Sequence, residues 1–211
     1  MSAHEPEQEM QTDAAPAGTP ERERAIAGDG VGPLLQRDYW AVIANCSICP
    51  DQFGDLLARR FAEFAPDELA CFRRSSDDPQ PLCAGEELTV EIRLAGSFGI
   101  RVLHSDANSL TLSTLAGHPE SGRITFGAYR SDRGDVVFHI RSRARSSSRM
   151  HFAEYLTAGE GMQTATWASF INAVARAVGD GVLGDIRATT EACEDLPDDD
   201  GEGPTFIARG S

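Results

Sequence analysis

The stretch from Leu110 to Arg145 constrains the fold of this chain most, because it reads as consecutive β-strands separated by short turns. Residues 110–115 alternate apolar and polar side chains, and strand-forming residues resume at 123–129 and at 136–143. The segments between these runs are rich in Gly, Pro, Ser and Asp, which is typical of turns that join neighbouring antiparallel strands. The stretch therefore predicts an antiparallel meander. No catalytic motif accompanies it, so it indicates a fold rather than a reaction.

A strand and then a helix are predicted closer to the N-terminus. Arg37–Ala44 is rich in β-forming residues and predicts the first strand. Pro50 suits the first position of a helix, and Pro66 ends it. Apolar residues recur between them at helical spacing, at Phe53, Leu56, Leu57, Phe61 and Phe64. Asp67–Phe72 is predicted to add one short helical turn.

The last predicted element is a long helix with a one-sided apolar stripe. The stripe consists of Trp167, Phe170, Ile171, Val174 and Val178. Two more strands, at Glu87–Leu94 and Ile100–His104, bring the sheet to about six strands. A strongly curved antiparallel sheet wrapped around the C-terminal helix buries this stripe economically, so we predict an α+β helix-grip fold. Because a helix does not fill a curved trough evenly, the fold also predicts a cavity, and an apolar cavity favours an apolar ligand.

The negative charge of the chain is concentrated at its two ends. Residues 1–29 carry a net charge of −5 and residues 191–211 carry −6, which leaves −3 for residues 30–190. Both ends lack the apolar surface needed to offset the entropy of ordering, so we expect two disordered acidic tails around one helix-grip domain at 30–190. A nucleic-acid-binding surface is expected to be basic and to carry interleaved exposed aromatic residues, so a slightly acidic domain argues against a nucleic-acid partner. All 19 basic residues are arginine, which is typical of a GC-rich bacterial genome.

The cysteines and the hydropathy of the sequence indicate in which compartment the protein works and whether it holds a metal. No apolar run approaches the roughly 20 residues that span a bilayer, and no export signal begins the sequence, so we expect a cytoplasmic protein. Cys46 and Cys49 have the spacing of half a zinc site or of a redox pair, but no second close pair accompanies them and no parallel βαβ unit is predicted around them. We therefore expect reduced thiols, no metal and no cofactor; the oligomeric state is left open.

Two short motifs resemble those of the uncharacterised proteins of the START-like, or polyketide-cyclase-like (SRPBCC), helix-grip superfamily. The first is the turn Gly117-His-Pro-Glu-Ser-Gly122, and the second is Phe138-His-Ile-Arg141, one strand later. Arg123 replaces the Glu that usually follows the turn, and Ala144-Arg-Ser146 replaces a Ser-Arg-Pro sequence. The similarity covers about residues 84–180. It implies the helix-grip fold and a hydrophobic ligand, and it implies no known reaction.

Four residues are predicted to bind the ligand. His118 and Arg141 are polar members of the two motifs that this chain retains, and Trp167 and Phe170 lie on the apolar stripe of the last helix. Strict alternation would instead place Arg141 outside the sheet, opposite Phe138. His118 also has a structural interpretation, because its ring could cap backbone groups of the tight turn. No residue is assigned a catalytic role.

Three functions are compatible with the sequence. The first is a carrier or sensor of a small apolar molecule held between the sheet and the C-terminal helix. The second is a cyclase- or hydrolase-type enzyme that uses the same cavity. The third is a protein-interaction module. The alternating arginines of the last strand, Arg141, Arg143 and Arg145, could also bind an anion, or could lie on a solvated sheet face.

Overall fold

The computed structural model of the chain describes residues 22–74, 80–148, 160–194 and 201. These residues form one antiparallel sheet of eight strands, in the order β2-β3-β4-β5-β6-β7-β1-β8. The strands are β1 (Val31–Ile43), β2 (Ala70–Arg74), β3 (Glu87–Ile92), β4 (Gly96–Ser105), β5 (Ser109–Thr114), β6 (Glu120–Arg130), β7 (Val136–Ser146) and β8 (Val182–Cys193). The helices are α1 (Phe53–Phe64), which follows a short 3-10 turn at Pro50–Gln52, and α2 (Glu160–Val178).

The helix-grip prediction is confirmed: both helices pack on the concave face of the curved sheet, and the meander forms β5, β6 and β7. Rings from both helices and the sheet meet at the centre of the core. Phe61 of α1 lies 5.0 Å from the Phe126 ring of β6 and 5.2 Å from Phe170 of α2, measured between ring centroids. Phe138 of β7 stacks on Phe53 at 5.6 Å. These contacts follow from the apolar faces that the helical spacing indicates.

The prediction of about six strands is wrong, because the sheet has eight strands and two of them, β2 and β8, were not predicted. β2 forms where a helical turn was expected, since Ala70 and Phe72 alternate toward the core and pair with β3. β8 follows α2 and pairs with β1, so the helix is not the last element of the chain. Most of β8 is exposed, and its polar sequence with Gly184 gives no strong strand pattern. In both cases pairing with a neighbouring strand outweighed local propensity.

The edges of the domain lie outside the expected limits of 30–190. Arg24 forms a bridge with Leu115, and Ala27 is buried. At the other end, β8 continues to Cys193. Residues 22–29 and 191–193 are therefore part of the folded domain. The remainder of the two expected tails lies outside the described residues, apart from Glu194 and Gly201.

Within the part of the chain that the structure describes, no helix has the length and apolar character needed to cross a bilayer.

Candidate functional site

A cavity of about 460 Å³ lies between the concave face of the sheet and the first two turns of α2. The sheet lines it with side chains from β2 to β7, and α2 covers it with Met162, Gln163, Thr166 and Trp167. Farther along α2, residues such as Phe170, Ile171 and Val174 are fully buried in the core. The cavity therefore occupies the part of the trough that the helix does not fill.

One side of the cavity is apolar. The side chains that face it from β2, β3, β4 and β5 are Ala70, Phe72, Val90, Ile92, Ile100 and Leu112. Strand pairing brings these side chains together. Phe72 of β2 lies opposite Val90 of β3. Leu112 of β5 lies opposite Val102, which is two residues after Ile100 on β4. Arg93 and Leu94 lie at the exposed turn after β3, beside this apolar side. This wall offers shape and apolar contact rather than hydrogen bonds.

The opposite side of the cavity is polar and is organised around Glu120, at the start of β6. Its Oε1 lies 3.0 Å from Nη1 of Arg37, and the exposed fractions of the two side chains are 18% and 3%. Gln163 of α2 donates a 2.8 Å hydrogen bond from Nε2 to Oε2 of Glu120. Glu120 and Gln163 line the cavity, while Arg37 of β1 pairs with Glu120 and neutralises its charge. A nearly buried arginine needs such a partner, because an unpaired buried charge is costly.

His118 lines the cavity beside Glu120, and the turn fixes the orientation of its ring. Nδ1 of His118 lies 3.0 Å from the backbone nitrogen of Glu120 and 3.1 Å from the carbonyl oxygen of the same residue. Whichever tautomer is present, one of these backbone groups pairs with Nδ1. The ring also contacts Phe98 edge to face, with centroids 5.3 Å apart. His118 thus has the capping role that the tight turn favours and, at the same time, a place in the cavity wall.

Backbone conformation favours glycine at two positions of the turn, and close packing against β7 adds a second requirement at one of them. Gly117 has a φ of +92° and Gly122 a φ of +155°, values that other residues rarely adopt. A Cβ on Gly122 would also overlap the carbonyl oxygen of Arg143 and the Cα of Ala144 on β7. The Gly-His-Pro turn therefore brings β6 very close to β7 at the point where Glu120 enters the cavity.

Trp167 and Phe170 lie one turn apart on α2 but differ in position. Trp167 lines the cavity and is partly exposed. Phe170 is fully buried and contacts the rings of Phe61, Phe64 and Phe126. Of the two aromatic residues predicted to bind a ligand, the structure places Trp167 at the cavity and Phe170 in the core below it.

Arg141 lies on the convex face of the sheet, away from the cavity. Its Nε donates a 2.6 Å hydrogen bond to Oδ1 of Asp38, which also accepts one of 2.6 Å from Nε2 of the fully buried His139. Phe138 and Ile140 of the same strand point to the core. The assignment of Arg141 to one site with His118 and Trp167 does not agree with this placement: β7 is regular here, and strict alternation holds.

The environment of Asp38 changes its acidity. Burial raises the pKa of Asp38, but hydrogen bonds from His139 and Arg141, together with the charge of Arg141, outweigh burial and lower the pKa to about 2. Gln36 adds a 2.8 Å hydrogen bond to Oδ2. Asp38 therefore stays ionised at neutral pH and joins β1 to β7 on the convex face.

The other arginines of β7 bind backbone carbonyls near the two ends of the domain. Arg143 donates to the carbonyl oxygen of Glu194, and Arg145 donates to those of Ala27 and Gly32. The sequence left two interpretations of these arginines open: they could bind an anion, or they could lie on a solvated face of the sheet. In the structure these guanidinium groups instead hold terminal segments against the sheet.

Sequence reasoning missed Arg37, Glu120 and Gln163 as site residues. Glu120 lies inside the Gly-His-Pro turn motif, but the prediction named only His118 of that motif. Arg37 shares one strand face with Tyr39, Ala41 and Ile43. A single charge on an otherwise apolar strand face indicates a buried partner, so Arg37 could have been found by alternation. Gln163 follows the segment 149–159, which lies outside the described residues, and its position had no comparable signal.

Among the described residues, no group of three His, Cys, Asp or Glu side chains is placed to hold a metal ion. Cys46 and Cys49 are both free thiols, and Sγ of Cys46 lies 3.4 Å from the carbonyl oxygen of Ile48.

Solved structures that are similar to this chain differ widely from it in sequence. Norcoclaurine synthase from Thalictrum flavum superposes with a TM-score of 0.50 at 11% identity, and the match covers 70% of this chain and 96% of that one. The di-domain ARO/CYC StfQ of the steffimycin biosynthetic pathway gives a TM-score of 0.48 at 10% identity over 73% of this chain and 52% of that one. This chain thus spans about half the length of StfQ. At such identities the likeness to norcoclaurine synthase shows the fold alone.

Comparison with curated proteins finds no match in sequence. One protein family does match: its profile covers residues 59–173, more than half of the chain, from the middle of α1 to α2. The match includes both short motifs, and it confirms the resemblance to an uncharacterised helix-grip family that those motifs indicate. The chain belongs to the family described as Domain of unknown function (DUF1990).

Proposed function

We propose that this protein binds a small apolar molecule in the cavity between the sheet and α2, as a carrier or sensor. One observation carries the proposal: the cavity of about 460 Å³ is lined largely by aliphatic and aromatic side chains and has polar groups concentrated on one side. Small-molecule sites commonly have volumes of about 300–1,000 Å³ and this kind of lining. Apolar surface that lines an open cavity is exposed to water at a cost, and a ligand that covers it removes that surface from water.

The proposed partner is a small molecule rather than a nucleic acid. The arginines of β7 that could have bound phosphate contact Asp38, Gln36 and backbone carbonyls of the chain itself. We propose a protein that works in the cytoplasm, in line with the sequence, with a domain that extends from about residue 22 to residue 193.

Pyrene titration tests the proposal, because pyrene is apolar, fits the cavity volume and reports the polarity of its surroundings by its emission. We expect saturable binding with the spectrum of an apolar environment. Ala144→Leu adds bulk from a residue that lines the cavity, and we expect it to weaken binding about tenfold or more. Ala62→Leu, the same change on the exposed face of α1, is the matched control and should leave the affinity unchanged.

Thermal melts of both variants establish that they are folded. Saturable binding that Ala144→Leu and Ala62→Leu affect equally would place the probe outside the cavity, and lack of any binding would refute the proposal. Solvent extraction of the purified protein followed by mass spectrometry would then identify a molecule that copurifies with it.

A further inference from the structure

We infer that the natural ligand carries a hydrogen-bond donor, a hydroxyl or an amine, that binds the carboxylate of Glu120 while its apolar body extends toward β2 and β3. This inference rests on the proposed function and adds to it the chemical class of the ligand and its direction in the cavity.

The first step concerns what Glu120 offers to a ligand. An ionised carboxylate only accepts hydrogen bonds, and its two oxygens have about four acceptor positions between them. Arg37 approaches Oε1 and Gln163 donates to Oε2. The hydrogen bond from Gln163 uses one position on Oε2, the ion pair with Arg37 lies at Oε1, and Glu120 still lines the cavity with 18% of its side chain exposed. The group that faces the ligand is therefore an oriented acceptor.

The second step concerns the cost of keeping a charge there. Arg37 is 3% exposed, so the pair is largely removed from water. Buried ion pairs add little stability compared with apolar residues of similar size. If the cavity held only apolar groups, apolar residues in place of Arg37 and Glu120 would be at least as favourable. The pair is explained if its carboxylate orients a polar group of the ligand.

The third step concerns direction. Strand order separates β3 from β6 by two intervening strands, or about 14 Å at the usual spacing along the sheet. Glu120 pairs with Ser146, and Arg37 pairs with Ser142; both serines line the cavity. The polar groups thus gather at β6 and β7, while Phe72, Val90 and Ile92 lie at the other side. A ligand that matches this distribution is elongated, with its polar group at one end.

The fourth step concerns what is rejected. A carboxylate or phosphate placed at this end would bring hydrogen-bond acceptors against the acceptor oxygens of Glu120 and would have no proton to donate to them, which disfavours anions. An ether or a hydrocarbon would leave the remaining acceptor positions of Glu120 without a donor, because it displaces water from them and donates nothing in its place. Two arginines among the lining residues could attract an anion instead, Arg93 at the exposed turn on the apolar side and Arg123 of β6, so an anionic probe belongs in the test.

Four fluorescent probes that share the pyrene ring test the inference: pyrene, 1-pyrenemethanol, 1-(methoxymethyl)pyrene and 1-pyrenecarboxylate. We expect the alcohol to bind about tenfold more tightly than the methyl ether, as one hydrogen bond to a charged group allows, and the carboxylate to bind most weakly. Equal affinities for alcohol and ether, or tightest binding of the carboxylate, would overturn the inference.

Two variants connect the preference to Glu120. The double variant Arg37→Met/Glu120→Met removes the ion pair as a unit, so that no unpaired charge is left in the core. We expect it still to bind pyrene, which donates no hydrogen bond, and to lose the preference for the alcohol over the ether, to within about threefold. The double variant Arg60→Met/Glu63→Met removes an exposed ion pair of α1 by the same two changes, away from the cavity, and we expect it to retain the preference. A preference that survives in the double variant refutes the role of Glu120.

The measurements separate the two proposals. Failure of pyrene itself to bind the unmodified protein refutes the proposed function and the inference with it. Pyrene binding without a preference among the substituted probes refutes the inference alone.

Discussion

His139 and Asp38 form a buried hydrogen bond, 2.6 Å from Nε2 to Oδ1, that joins β7 to β1 on the convex face of the sheet. The rings of Trp40 and Tyr129 flank His139, with centroids 5.8 Å and 6.0 Å away. Arg141 donates to the same carboxylate oxygen. This cluster links the two strands with the charge of Asp38 at its centre, and it lies on the face opposite the cavity.

The lowered pKa of Asp38 predicts how the free energy of unfolding changes at low pH. Its folded-state pKa of about 2 lies below the ordinary value of 3.8, so the carboxylate stabilises the fold above pH 4 and loses that contribution as pH falls toward 2. The contribution is about 2 kcal/mol, because each pKa unit corresponds to about 1.4 kcal/mol. Urea unfolding of the unmodified protein and of Asp38→Asn between pH 6 and pH 2 measures it. We expect the difference between the two proteins to shrink across pH 4 to 2; a constant difference would contradict this.

Arg141→Met tests the placement of Arg141 on the convex face. The change leaves Asp38 and His139 without the guanidinium, and breaking a largely buried pair costs about 3 kcal/mol. We expect urea unfolding to show this loss while the affinity for pyrene changes less than about twofold, since a ligand contact would be worth more. A variant with normal stability and weakened pyrene binding would instead return Arg141 to the ligand site.

The sequence predicted the meander and both helices because their patterns are local. Alternation along 110–115 and the spacing of Phe53, Phe61 and Phe64 each arise within one element. β2 and β8 are different, because they are strands through pairing with β3 and β1, and neither carries a strong pattern of its own. Edge strands of a sheet are stabilised mainly by their neighbour, so tertiary structure decides them.

The candidate site was predicted in part for a similar reason. The turn that carries His118 was recognised, and alternation alone would have placed Arg141 outside the sheet. The depth of the cavity was not predictable, because it depends on how far along the trough α1 packs. Phe61 and Phe64 of α1 reach Phe170 of α2, and the cavity begins one helical turn earlier, at Trp167. Helical spacing on α2 does not contain that information.

Truncating the two aromatic residues of α2 separates core from cavity. Phe170→Ala removes a fully buried ring, and we expect the free energy of unfolding to fall by about 3–5 kcal/mol. Trp167→Ala should cost less than half as much, because the ring borders space that is already open, and should weaken pyrene binding. Urea unfolding and pyrene titration of both variants measure the two effects. Equal losses of stability would place Trp167 in the core with Phe170.

The turn at residues 117–122 predicts a strict requirement for glycine at Gly122. Gly122→Ala would put a Cβ against the backbone of Arg143 and Ala144 at a φ of +155°, so β6 and β7 must separate where Glu120 enters the cavity. We expect a loss of about 2 kcal/mol or more, from strain at a conformation reserved for glycine and from the displaced strands. Gly161→Ala is the matched control, because Gly161 lies in α2 with open space around it, and there alanine should stabilise the helix by about 0.5–1 kcal/mol. Urea unfolding of the two variants should therefore shift in opposite directions, and a Gly122→Ala variant as stable as the unmodified protein would show that β6 and β7 do not approach each other this closely.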